Sequence, residues 1–257
     1  MSNPISVFIM DVSNSSKENI GKELSSYLQE LKSNITTWTD STIKTKVSHR
    51  AGDELVVISS GFASAYIIAF YISRIWNYVE HPPYFGLSFG GIEENIEDID
   101  IETWIHPLMK QARLANDYIK QQQNRMQFRM ELGNSQGLSG FEAYSQEFTS
   151  LINASFALQQ EQMNEQTAIQ SFVCSLYLIL GQQNKVSEYL DRTKSTVSIH
   201  MKNGKTEVIL DTFTSIVDVL NSLESKRLNH ITDELQMNIK RYVNKSLDVY
   251  LPRERRI

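Results

Sequence analysis

The rhythm of hydrophobic and polar positions changes once along this chain, near its middle. From residue 5 to 120, short apolar runs alternate with segments that repeat every three or four residues. "ISVFIM" (5–10) ends at Asp11 and reads as a buried strand. "SKENIGKELSSYLQELKSN" (16–34) sets Ile20, Leu24, Leu28 and Leu31 at helical spacing, with Ser15 and Ser16 available as caps. "DSTIKTKVSHRAGDELVVISS" (40–60) predicts a hairpin turning near Ala51-Gly52. "FASAYIIAFYISRIWNYVE" (62–80) predicts a second helix, stopped by His81-Pro82-Pro83. "YFGLSFGGIE" (84–93) reads as another strand. "HPLMKQARLANDYIKQQQ" (106–123) reads as a third helix with Pro107 in its first turn.

This order, βαββαβ, predicts the split ferredoxin-like arrangement, with helices covering one face of an antiparallel sheet. From residue 141 the rhythm is helical throughout. Residues 141–181 offer two helices, 206–225 one with a wide apolar stripe (Val208, Leu210, Phe213, Ile216, Val217, Leu220, Leu223), and 226–250 a further one. The expected class is α+β: a palm-like ferredoxin fold over 1–125, a linker over 126–140 that holds the Gly- and Ser-rich "GNSQGLSG", and an all-α domain over 141–257. Within the last, "NKVSEYLD" (184–191), the turn "RTK" and "STVSIHMKNG" (195–204) predict a helix-turn-helix over 184–204. Val186, Leu190, Val197 and Met201 would form its small core.

Composition narrows the classes. With 41% hydrophobic and 21% charged residues, 5 Pro and 11 Gly in 257 residues, the chain is a folded globular protein. Its net charge of −5 argues against nonspecific polyanion binding, so any nucleic-acid contact needs a local basic patch. A single cysteine, Cys174, forbids an intrachain disulfide, and its apolar helical setting makes it a core residue. No signal peptide is visible and the longest apolar stretch is interrupted by Ser64, Ser73 and Arg74, so a cytoplasmic protein without a membrane partner is expected. His49, His81, His106, His200 and His230 fall in no zinc-ligand spacing.

In the ferredoxin-like layout, the end of the first strand and the tip of the central hairpin lie side by side. Asp11 and Asp53 occupy those places, where two carboxylates would suit Mg²⁺ against nucleotide phosphates. Without further context, Gly52-Asp53-Glu54 is ordinary turn chemistry.

"FIMDVSNS" followed by "RAGDELVV" resembles the palm-type nucleotidyl cyclases, and the hairpin resembles the diguanylate cyclase motif with Ala51 at its first glycine. With "YFGLSFGG", "IHPLMKQAR" and the terminal helix-turn-helix, the chain resembles the bacterial SatD family over residues 5 to 225. The resemblance implies nucleotide or metal binding by Asp11, Gly52, Asp53, Glu54 and Arg113, with Asp11 and Asp53 as metal ligands. It also places Met109 where cyclases carry an asparagine, which implies a domain that senses a nucleotide or only dimerises, without turnover.

The second predicted helix of the helix-turn-helix presents short hydroxyls and basic tips, as a recognition helix requires. Lys185, Arg192, Lys194, Lys202 and Lys205 outnumber Glu188 and Asp191 between 184 and 205, in a chain that is acidic overall. The expected function is therefore a DNA-binding transcriptional regulator reading double-stranded DNA, as a homodimer, through Lys185, Arg192, Lys194, Ser195, Thr196, Ser198, His200 and Lys202. The competing expectations are a metal-dependent nucleotide enzyme and an adaptor that binds a protein partner.

Overall fold

In a computed structural model, the structure describes residues 3–13, 20–50, 52–133, 142–224 and 229–253. Both faces of the first strand, β1 (Asn3–Val12), are apolar. Phe8, Met10 and Val12 point one way, and Ile5, Val7 and Ile9 the other, all of them buried. A strand of that kind belongs in the middle of a sheet covered on both faces. β1 is accordingly flanked by β3 (Glu54–Ser60) and β4 (Pro83–Ile92), both antiparallel to it. With β2 (Thr45–Arg50) beyond β3 and β5 (Phe128–Met130) beyond β4, the order is β2-β3-β1-β4-β5. β5 runs parallel to β4, so the sheet is mixed and the class is α+β.

Helices cover both faces, not one as the sequence suggests. On the Phe8–Met10 face lie α1 (Gly21–Thr39) and α2 (Ser64–Ile75), with Leu28, Leu31, Ile35 and Trp38 of α1 in the core. On the Ile5–Ile9 face lies α3 (Pro107–Gln121), which packs Leu108, Met109 and Ala112 against Val56 and Ile58. The run "LVVIS" in β3 has no polar alternation, so a single covered face would leave half of its side chains in water.

α2 is buried along nearly its whole length, and such a helix needs cover on its far side as well. The helical half supplies it: α4 (Ser145–Asn164), α5 (Ala168–Leu180), α6 (Gln183–Leu190), α7 (Lys194–Asn203), α8 (Thr206–Ser222), α9 (Asn229–Lys245) and α10 (Leu247–Tyr250). Phe70 of α2 stacks on Phe213 of α8 with ring centroids 4.2 Å apart. Gln159 of α4, itself buried, accepts from Tyr66 Oη at 3.2 Å and donates to Ile209 O at 2.8 Å. One apolar core thus runs without a break from β1 to Leu251.

The stretch expected as a linker is different in its first part. Residues 128–130 form β5, whose Phe128 stacks on Phe85 at 5.4 Å. Asn153 of α4 then occupies the outer edge of β5, donating to Met130 O (2.9 Å) and accepting from Met130 N (2.8 Å), which closes the sheet edge. Residues 134–140, with most of "GNSQGLSG", lie outside the described residues. The stripe of 206–225 turns Phe213, Ile216, Val217 and Leu220 inward, so closing the core is the role it fills. Among the described residues no helix is long and apolar enough to cross a membrane.

α3 approaches the sheet at Gly86 of β4. A Cβ there would lie 2.2 Å from Ala112 O and 2.4 Å from Asn116 N, both backbone atoms that cannot move independently of the helix. Gly86→Ala is expected to lower stability by about 1–3 kcal/mol through overpacking. Urea unfolding of the variant checks this, and an unchanged midpoint would contradict the close packing.

Candidate functional site

Two places carry the predicted functional residues: the end of the sheet where β1 stops and β3 begins, and the α6–α7 pair.

At the sheet end, strand parity decides what meets what. Asp11 continues the Ile5–Ile9 face and Glu54 continues the Val56–Ile58 face, so both carboxylates turn toward α3. α3 is held there by the Gly86 contact and by Asn116 Nδ2, which donates to Ile9 O at 3.0 Å. Arg113, Asn116, Asp117 and Lys120 share one face of α3 at helical spacing. Arg113 donates twice to Glu54, at 2.8 and 2.9 Å, and Arg50 approaches the same carboxylate at 3.3 Å. Lys120 Nζ forms an ion pair with Asp11 Oδ2 at 2.5 Å.

The two carboxylates are tuned in opposite directions. Burial pushes the Asp11 pKa up to about 6, against the pull of Lys120, and Asp53 and Glu54 are near enough to add to the rise. Burial would also raise Glu54, but the bonds from Arg113, helped by Arg50, outweigh it and hold that carboxyl below its usual range. Tyr84 at the same end is raised by burial and then by Asp11, and Arg125 lies over its ring at 5.4 Å. Gly52 takes a left-handed φ of 103°, the tight turn that brings Asp53 back beside the strand end. Ala51 lies outside the described residues.

The structure therefore gathers Asp11, Glu54 and Arg113 on the α3 side of one end of the sheet, whereas Gly52 and Asp53, at the hairpin tip of the same end, line a cleft with Gly21, Lys22, Leu24 and Ser25 on the α1 side. Lys120 was not singled out from the sequence, although its distance of seven residues from Arg113 puts both on one helix face. Met109 is buried against the sheet. The fit to a resident Mg²⁺ is poor, because Lys120 stands beside Asp11 where the ion would bind. Among the described residues no group of three acidic, histidine or cysteine side chains is arranged to hold a metal.

In the second place, α6 ends at Asp191, which adopts a left-handed conformation (φ 51°) and turns the chain. Thr193 then caps α7, its hydroxyl accepting from Thr196 N at 3.1 Å. Val186, Leu190, Val197 and Met201 are buried between the two helices, as their spacing predicts, and α5 packs behind both. α7 ends at Gly204, which keeps a negative φ, and the left-handed residue is the next one, Lys205. Lys185, Arg192, Lys194, Ser195, Ser198 and Lys202 are exposed, while Thr196 and His200 are half-buried. Among the described residues none of these cations is in an ion pair. Ile199, 55% exposed on the same helix, was not foreseen.

Compared with protein-family models, with curated proteins and with solved structures, the chain matches none of them.

Asp11 gives a pH dependence of definite sign. Its folded pKa lies above the ordinary 3.8, so the native state holds the extra proton between about pH 4 and 6 and loses stability as pH rises through that window. Asp11→Asn is expected to be more stable than the parent at pH 7.5, by about 1–3 kcal/mol. The gap should close toward pH 4, where both carry a neutral side chain. Urea unfolding at both pH values checks it, and a gap that widens on acidification would reverse the assignment.

Proposed function

We propose that this protein is a DNA-binding regulator of transcription in which α6 and α7 form a helix-turn-helix and α7 enters the major groove. The observation that carries the reading is the exposed face of α7. It presents Lys194, Ser195, Ser198 and Lys202 to solvent, with Arg192 in the turn, and among the described residues no carboxylate pairs with any of these cations. Cations left without acidic partners in an acidic chain are what a phosphate backbone would neutralise. The left-handed Asp191 supports the reading, because it lets two short helices cross within a three-residue turn.

The sheet half supports a ferredoxin-like palm by its strand order, in which β2-β3-β1-β4 are antiparallel throughout. The reading extends to the SatD-like arrangement, a palm that senses a nucleotide and does not cyclise it, in a homodimeric cytoplasmic protein. Support comes from the two cations of α3: Arg113 is committed to Glu54, and Lys120 stands at Asp11. A side chain bound twice by a carboxylate is not available to stabilise a transferring phosphate.

Two experiments test the halves separately. Fluorescence titration with genomic fragments at low salt is expected to give binding that weakens steeply with salt. Lys194→Ala or Lys202→Ala should lower affinity about equally for all sequences and reduce the salt slope by roughly one unit each. Thr196 or Ser198 changes should instead alter preference by about 1–3 kcal/mol at one base pair. Binding indifferent to both lysines would assign the helix pair to a protein partner. For the palm, incubation with ATP or GTP and Mg²⁺ is expected to yield no cyclic nucleotide, and chromatography detecting one would make the domain an enzyme.

A further inference from the structure

Arg74, near the end of α2, is buried at 8% exposure, yet no carboxylate pairs with it among the described residues. Its Nη2 donates to Ser171 O at 2.9 Å, to Ser171 Oγ at 3.2 Å and to Gln166 Oε1 at 3.5 Å. Its Nε is shut off from solvent and has no hydrogen-bond partner among the described residues. Its Nη1 makes no hydrogen bond with any described residue. A guanidinium cannot shed its proton to escape burial, so an uncompensated one is costly and is usually found with an anion.

The same side chain lines a half-open cavity of about 530 Å³ between α2, the turn before β4, α4, α5 and Leu251. Its lining mixes apolar side chains, among them Trp76, Pro83, Met163 and Phe172, with the amides of Gln127 and Gln160. A concave site with apolar lining and one converging charge is the common form of a small-molecule pocket. The first turn of α5 adds to the field, since Ala168 and Ser171 both line the cavity and a helix N-terminus favours negative charge.

We propose that this cavity binds a small organic carboxylate, its anionic group on Arg74 Nη1 and its apolar body against Trp76, Met163 and Phe172. The site lies near the same end of the sheet as Asp11, since Pro83 pairs with Val12, but on the other face, and it is apart from the exposed face of α7. It is nevertheless connected to the latter, because α5, which receives Arg74 through Ser171, packs directly on α6 and α7. An anion drawn onto Arg74 would bear on the helix against which the helix-turn-helix is built.

The test uses the full chain, labelled with ¹⁵N, and hexanoate as the probe. Saturable amide shifts are expected at Arg74, Ala168, Ser171 and Phe172, with none from the neutral hexanamide. Arg74→Gln should weaken hexanoate about tenfold or more, the loss of one charge-assisted hydrogen bond. Because that change also removes the bonds to Ser171, Ala168→Trp serves as a second variant. It fills the cavity mouth at an exposed position, leaves Arg74 in place, and should abolish the shifts while the unfolding midpoint is kept. Shifts that hexanamide reproduces, that survive both substitutions, or that never appear at tens of millimolar hexanoate would overturn the proposal.

Discussion

Helix α2 has almost no polar face, and the architecture follows from that constraint. A helix apolar around its circumference cannot lie on a sheet with its back to water. One side of α2 rests on β1, β3 and β4. Its other side meets α8 through Tyr66, Phe70 and Tyr71, α4 through Tyr66, α9 through Tyr71 and α5 through Arg74. The helical half is thus part of the same core as the sheet. Glu224, just past the end of α8, adds a polar tie: its Oε1 accepts from Phe62 N at 2.6 Å, placing a carboxylate at the N-terminus of α2 from 162 residues away.

A second constraint works at the opposite face of the sheet. Gly86 allows backbone to meet backbone, and the helix brought that close must set its side chains against the strand ends. Glu54 is gripped by a rigid planar cation that holds its pKa below the usual range, whereas Asp11 meets a flexible ammonium from deep burial and its pKa is pushed up to about 6. Two carboxylates on neighbouring strands, facing the same helix, are given different chemistry by which cation each one meets.

What was legible in the sequence was local. The apolar runs of β1 and β3, the Pro107 helix start and the Val186, Leu190, Val197, Met201 core all rest on spacings of a few residues, and the structure has them. Helices α6 and α7 appear within one residue of their expected bounds. What was not legible depends on partners distant in the chain. Phe128 and Met130 are too few to announce a strand, and β5 exists because β4 and Asn153 bracket it. The end of α1 at Thr39 in place of residue 34 follows from Ile35 and Trp38 reaching the core. At the sheet end Asp11, Asp53 and Arg113 were visible as candidates, but the Lys120 partner required knowing which face of α3 the sheet would take.

The position of β1 also has a cost in time. β1 is central in the sheet, yet both of its neighbours follow it in the chain, β4 complete only at residue 92. A ribosome adding about 5–20 residues per second leaves a finished β1 without its second partner for on the order of ten seconds. Over that interval an uninterrupted apolar strand has no sheet to join, and the far cover of α2 is later still. The emerging chain is then most exposed to wrong pairing with other nascent chains, and a holdase that shields strands of this kind would matter more to its yield than the stability of the finished fold.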